Sequence, residues 1–122
     1  MKVDSVPYSE RRLQTTAKHV SRAVTDVADA FVTGLTVMQP STPGLFWLNV
    51  GMGVGHAAFG ISRLSRATEE SITPLQKQKF LTQAFGEGLQ VAGYAGLAFG
   101  LGAWALPIVA TGAIVSNFAH FH

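Results

Sequence analysis

Two apolar stretches decide the fold: residues 44–61 read GLFWLNVGMGVGHAAFGI, and residues 91–115 read VAGYAGLAFGLGAWALPIVATGAIV. They lie within two longer segments, 30–62 and 88–122, that contain no Asp, Glu, Lys or Arg. A helix needs about 20 mostly apolar residues to cross the hydrocarbon core of a bilayer, and both segments exceed that length. We therefore predict an all-α membrane protein with a two-span transmembrane helical hairpin, its spans at about 44–62 and 88–115.

The composition favours this prediction over a soluble bundle. Charged residues make up 13% of the 122 residues, whereas typical soluble domains carry about 25%. A soluble helical bundle that buries both stretches stays open as the alternative, because Asn49 and His56 make the first stretch less apolar. The length corresponds to one domain, and the absence of cysteine excludes disulfides and thiolate chemistry.

Glycine is frequent within the two predicted spans. Gly51 and Gly55 form one GxxxG motif, and Gly96 and Gly100 form another. In lipid, small residues let two helix backbones approach closely. We therefore predict that these four glycines are helix-packing residues, either between the two spans of the hairpin or against a partner subunit.

The N-terminal region, 1–43, is predicted to contain a long amphipathic helix and a proline-containing connector. Ser9 is a suitable N-cap, and the helix would end before the Gln39-Pro40 dipeptide. Apolar or small residues recur at helical spacing, namely Leu13, Ala17, Val20, Val24, Val27, Phe31, Leu35 and Met38. This helix could lie on the membrane surface, pack on a partner subunit or fold back on its own hairpin.

The segment 63–87 between the predicted spans is expected to be a basic loop, with Arg63, Arg66, Lys77 and Lys79. Basic residues near membrane ends favour the cytoplasmic or matrix side. The loop is thus predicted to face the matrix or cytoplasm, with both termini on the opposite side of an inner mitochondrial or bacterial inner membrane. Five basic residues within the first 22 favour the reverse orientation, but they lie further from the span.

His56 is the candidate for cofactor binding. It lies mid-span among Gly53, Gly55, Ala57 and Gly60, and such small neighbours would let a planar macrocycle lie flat against the helix. Ligation of haem or chlorophyll by His56 is therefore one hypothesis. The other is a histidine that is hydrogen-bonded to a neighbour such as Asn49 or Glu87. We predict no catalytic residue and no metal site.

One segment resembles a known family. The sequence Lys77-Gln78-Lys79-Phe80-Leu81-Thr82-Gln83 is similar to the basic-x-Arg-xxx-Gln pattern of the hypoxia-induced-gene-domain proteins, the respiratory supercomplex factors, with Lys79 in place of the arginine. The resemblance covers about residues 44–105. It implies a two-span, non-catalytic inner-membrane protein that binds cytochrome oxidase or a supercomplex, with Lys77, Lys79 and Gln83 as partner contacts.

The leading functional hypothesis is a non-catalytic accessory or assembly subunit of a larger membrane complex, with a bioenergetic (respiratory) complex as the natural host. Its partners would be other subunits and the lipid bilayer, and bound lipid would fit; the net charge of +2 is too low for nucleic-acid binding. Three alternatives stay open: a haem- or chlorophyll-binding hairpin, a self-assembling holin-like or virion membrane protein, and a soluble helical module.

Overall fold

The computed structural model describes residues 8–121, with side chains for residues 16–120. The described chain folds into helices without strands, which confirms the all-α prediction. Four α-helices follow in order, α1 (Tyr8–Met38), α2 (Leu45–Ala67), α3 (Pro74–Ala98) and α4 (Leu106–Phe121), with a short 3-10 helix at Gly102–Trp104 before α4. Two segments, Leu45–Ala67 and Gly102–His120, are long and apolar enough to cross a membrane.

Local sequence signals set the helix boundaries. α1 ends at Met38, since the residue before a proline, here Gln39 before Pro40, is disfavoured in the helical conformation. α3 begins with a capping box, in which the Gln76 amide N–H donates to Thr73 Oγ1 at 3.1 Å and the Thr73 amide donates to Gln76 Oε1 at 3.2 Å. These reciprocal bonds satisfy amide groups that the first turn of a helix leaves without partners.

The second predicted span is not one helix. α3 ends at Ala98, and the chain then reverses through Gly100 and Gly102, whose φ angles are +84° and +54°. Glycine adopts positive φ without the steric cost that a Cβ would bring. Residues 88–115 are therefore divided between α3, a turn and α4, and Pro107 lies in the first turn of α4, where a proline is tolerated. The predicted loop 63–87 is also mostly helical, since only residues 68–73 lie between α2 and α3.

The helices alternate in direction. A Cβ at Gly53 would contact Tyr94 and one at Gly60 would contact Glu87, so α2 and α3 run antiparallel. The same holds for α3 and α4, which pack through the residue pairs 86/116 and 93/109. α1 runs antiparallel to α2 because Thr36 contacts Asn49 and Asp29 contacts His56. The turns 39–44 and 99–105 thus lie at one end of an up-down-up-down bundle, and the turn 68–73 lies at the other.

The burial pattern is the inverse of a soluble bundle. The largest fully buried side chains are Tyr94, His56, Gln90, Glu87, Asn49 and Ser116. Large apolar side chains face outward on the helices and turns, among them Val24, Phe31, Trp47, Phe85, Trp104 and Ile114. Soluble proteins usually bury their large apolar residues and keep charged residues at the surface. The bundle therefore offers an apolar exterior around an interior that combines these polar side chains with a small apolar cluster, namely Val32, Tyr94, Leu97, Ala105 and Val109.

The apolar stripe of α1 faces outward. A helix that folds back on its own hairpin in water would be expected to bury that stripe. Val20, Val24, Val27 and Phe31 are all more than half exposed. The opposite side of α1 faces the other helices. Its buried residues are Arg22, Asp29, Val32 and Thr33. α1 thus packs on the bundle mainly through its polar side. Its apolar side faces away from the other helices.

Candidate functional site

His56 lies at the centre of the polar interior and is only 1% exposed. Its Nε2 atom contacts Asp29 Oδ1 on α1 at 2.7 Å, and its Nδ1 atom contacts Glu87 Oε2 on α3. The imidazole also stacks on the Tyr94 ring, with centroids 5.6 Å apart and an interplanar angle of 11°. One residue of α2 therefore joins carboxylates from two other helices.

Both carboxylates have further partners. Arg22 NH1 donates to Glu87 Oε1 at 3.2 Å, and Ser116 Oγ donates to the same oxygen at 2.9 Å. Asp29 accepts from the Tyr94 hydroxyl at 2.5 Å. Gln90 Nε2 lies 3.4 Å from the second Asp29 oxygen. All four α-helices of the bundle thus contribute a side chain to this network.

We refer to Arg22, Asp29, His56 and Glu87 as the charged cluster. If both carboxylates are ionised they only accept hydrogen bonds, and the imidazole between them then donates from both nitrogens as an imidazolium. The charged cluster then holds two cations and two anions and is neutral overall. Buried charges are costly unless they are paired and hydrogen-bonded, and here each charge meets at least one of opposite sign.

The sequence hypothesis of a hydrogen-bonded His56 named Glu87 and Asn49 as partners. In the structure Glu87 is hydrogen-bonded to His56. Asn49 is not a partner of His56, because its Nδ2 donates to Thr36 Oγ1 at 3.0 Å and to the Leu45 carbonyl at 2.9 Å. Ligation of haem or chlorophyll would require His56 to release one carboxylate, and this hypothesis stays a prediction. Within residues 16–120, no group of three or more His, Asp and Glu is arranged to hold a metal ion.

Asp29 and Arg22 were not named as site residues from the sequence, because the N-terminal helix was described by its apolar stripe alone. A signal was present in their spacing. Polar residues recur along α1 at steps of four, three, four and three, namely Arg22, Asp26, Asp29, Thr33 and Thr36. This is a second helical stripe, opposite to the apolar one. Either stripe could face the bundle, and the sequence alone did not distinguish the two.

The four glycines predicted to pack between helices have different surroundings. A Cβ at Gly96 would meet Ala105 Cβ at 3.1 Å, so Gly96 packs against the residue that precedes α4. A Cβ at Gly51 or Gly55 would meet no atom within 4 Å, so neither makes a close contact inside the described bundle. Gly100 is also open and belongs to the turn after α3.

Three other glycines make the close contacts between α3 and α4. A Cβ at Gly86 would stand 2.7 Å from the backbone oxygen of Gly112, and one at Gly112 would stand 2.7 Å from Cγ of Gln90. A Cβ at Gly93 would overlap Val109. Gly86 and Gly93 are seven residues apart and so lie on one face of α3, a spacing that a search for GxxxG does not detect.

The three predicted partner contacts near the start of α3 have unequal exposure. Lys77 is exposed, Lys79 is half-buried, and Gln83 is buried with 2% of its surface accessible. Lys79 and Gln83 line a cavity at the basic end of the bundle, whereas Lys77 lies outside that cavity. A partner contact through all three stays a prediction.

Comparisons with known proteins do not assign this chain to a family. No family model, no curated protein and no solved structure matches it. The burial pattern, the charged cluster and the basic end of the bundle are therefore the basis for proposing a function.

Proposed function

We propose that this chain is an integral membrane protein that acts as a non-catalytic accessory subunit of a larger membrane complex. The observation that carries the proposal is the inverted burial pattern, with apolar side chains outside and the charged cluster inside. Charged residues within membrane helices almost always face the interior of the bundle and pair with one another. An apolar exterior of this extent is otherwise a liability for aggregation.

The dimensions of the bundle fit a bilayer. α2 has 23 residues, so at about 1.5 Å per residue it is about 34 Å long, and the hydrocarbon core is about 30 Å thick. His56 lies near the middle of α2, which would place the charged cluster near the bilayer centre. The apolar stripe of α1 is directed outward at the same depth, so we propose that α1 also crosses the membrane.

The distribution of charge suggests an orientation. The end of the bundle with the 68–73 turn carries the basic residues Lys18, Arg63, Arg66 and Lys79, while the turns 39–44 and 99–105 at the other end have no charged residue. By the positive-inside rule, the basic end faces the cytoplasm or matrix. In a four-span bundle both termini share that side, so the basic residues near the N-terminus and those of segment 63–87 favour the same orientation. In the two-span prediction these two groups of basic residues favour opposite orientations.

A small-residue face on α2 supports the role as a subunit. Gly51 and Gly55 are open in the bundle, and Ala58 and Ser62 continue the same outward face at helical spacing. Small residues permit close approach of a second membrane helix. We propose that a helix of the host complex packs here. A respiratory complex is the host that the resemblance of residues 44–105 implies.

Purification of the tagged chain in mild detergent, followed by mass spectrometry of the co-purifying proteins, tests the proposal. We expect a membrane complex to co-purify with the wild type and with the control Val54→Leu, which changes an outward apolar residue. Gly51→Leu and Gly55→Leu should lose the complex while the chain stays in the membrane fraction. Recovery of the wild type in the soluble fraction, or in membranes without any partner, would contradict the accessory-subunit proposal. An absorbance spectrum of the same sample checks for haem or chlorophyll.

A further inference from the structure

A cavity of about 620 Å³ opens between the helices at the basic end of the bundle. Five cationic side chains line it: Lys18, Arg22, Arg63, Arg66 and Lys79. Among the residues that the structure describes, the lining includes no Asp or Glu. Glu87 pairs with Arg22 from the interior side, but it does not line the cavity. The cavity is therefore strongly electropositive, and its volume lies within the range of small-molecule pockets.

Two polar groups at this cavity are buried without a partner in the described chain. Gln83 is 2% exposed, and its Oε1 atom has no hydrogen-bond partner. The Nε atom of Arg63 is likewise buried without one. Buried polar groups are almost always hydrogen-bonded, and a side-chain amide can present either its oxygen or its nitrogen after a flip. Both residues line the cavity, and a rotation of either side chain would bring its buried polar atom to a ligand there.

We propose that this cavity binds a phosphate-bearing anion, with Arg63, Lys79 and Gln83 as its principal contacts. A guanidinium matches the geometry of phosphate oxygens and binds them in a bidentate manner, and an ammonium adds a point charge. The cavity exceeds what a phosphate group alone would fill. Phe59 and Phe80 also line it, so the group attached to the phosphate has an apolar part. The phosphate is that of a lipid headgroup or of a soluble phosphate ester.

Binding to the full chain in non-ionic detergent would be measured with two probes. The soluble probe is phenyl phosphate, detected by calorimetry, and the lipid probe is phosphatidic acid added to the detergent micelles, detected by native mass spectrometry. Binding of the soluble probe supports a soluble ester as the source. Binding of phosphatidic acid alone supports a lipid headgroup. Binding of neither probe overturns the proposal.

Matched variants separate a built site from general attraction between charges. Lys79→Gln and Lys77→Gln remove the same charge from the same helix, but Lys77 lies outside the cavity. We expect Lys79→Gln and Arg63→Gln to weaken binding about tenfold each, with Lys77→Gln close to wild type. Equal weakening by Lys77→Gln and Lys79→Gln would overturn the proposal.

Gln83→Leu keeps the test informative if the arginine variant does not fold. It replaces a buried amide that has an unpaired atom by an apolar group, so the thermal stability of the unliganded protein should be retained or raised. The stabilisation that the bound probe confers should fall. Unchanged stabilisation by the probe in Gln83→Leu would exclude Gln83 as a contact and overturn the proposed site. Because these experiments use the purified chain without a host complex, their outcome is independent of the accessory-subunit proposal.

Discussion

The Nε2 atom of His56 lies 2.7 Å from Oδ1 of Asp29 and joins α2 to α1 through a buried ionic contact. The other bonds from α1 to the bundle have the same polar character, including Arg22 to Glu87 and Asn117 to Asp26. Lipid tails are as apolar as leucine, so the hydrophobic effect does not drive membrane helices together, and close packing and interhelical polar bonds do so instead. We infer that these polar bonds set the position and rotation of α1 against the other helices.

The charged cluster should dominate the stability of the bundle. Asp29→Ala removes the carboxylate that His56 and Tyr94 share, and it leaves a buried cluster with excess positive charge. Breaking a buried ion pair by removal of one partner typically costs about 3–5 kcal/mol. We expect Asp29→Ala to lower the free energy of unfolding by this amount, and His56→Ala to act similarly. Thermal unfolding in detergent measures the effect.

Asp26→Ala is the matched control for that prediction. Asp26 lies on the same side of α1 but is only partly buried, with one hydrogen bond, from Asn117, at 2.9 Å. Its loss should cost about 1 kcal/mol. Equal losses of stability in Asp26→Ala and Asp29→Ala would show that the cluster contributes no more than a half-buried hydrogen bond.

Glycines at a close helix contact and glycines in open positions should respond differently to replacement by alanine. Gly86→Ala places a methyl group 2.7 Å from backbone atoms of α4, so the two helices must separate, at a cost of about 1–3 kcal/mol. Gly51→Ala and Gly55→Ala meet no atom and should be neutral or slightly stabilising in the isolated chain, because alanine favours the helix. Unfolding of the three variants in detergent compares them. A Gly86→Ala protein as stable as Gly51→Ala would contradict the close α3–α4 contact.

The membrane topology can be read by cysteine labelling, because the natural chain has no cysteine. Ser41→Cys lies in the turn after α1, and Ser71→Cys lies in the turn between α2 and α3. With the proposed orientation, a membrane-impermeant maleimide reaches Ser41→Cys from outside the cell or organelle and Ser71→Cys only after permeabilisation; both topologies share this pattern, so the termini distinguish them. Tags at either terminus should behave like Ser71→Cys. Termini that label on the side opposite to Ser71→Cys would favour the two-span hairpin instead.

Much of this fold follows from patterns in the sequence, and the remainder depends on tertiary contacts. The apolar segment 44–61 and the Gln39-Pro40 dipeptide were sufficient to predict α2 and the end of α1. The reversal at Gly100 and Gly102 was not predicted, because an apolar stretch that continues across a turn has the same composition as one long helix. Hydropathy measures composition, whereas a turn depends on backbone conformation.

The candidate site was predictable only in part, for a similar reason. His56 was identified from its position among glycines, and Glu87 was named as a partner. Asp29 was missed because periodicity locates two opposite stripes on α1 and does not say which of them faces the bundle. That choice depends on whether the surroundings are water or lipid, because in lipid the charged side of a helix faces the interior of the bundle.

The apolar stripe of α1 provides the test that decides between these surroundings. Phe31 is 65% exposed on the same helix as the buried Asp29. If α1 crosses the membrane, Phe31→Asp places a charge in the hydrocarbon region, at a cost of about 2.5–3.5 kcal/mol, and the membrane-inserted fraction should fall sharply. Ser71→Asp adds the same charge in a turn and should leave insertion unchanged. Quantification of both variants after alkaline extraction of membranes makes the comparison; insertion of Phe31→Asp at the level of Ser71→Asp would place the outward side of α1 in water or against a polar partner.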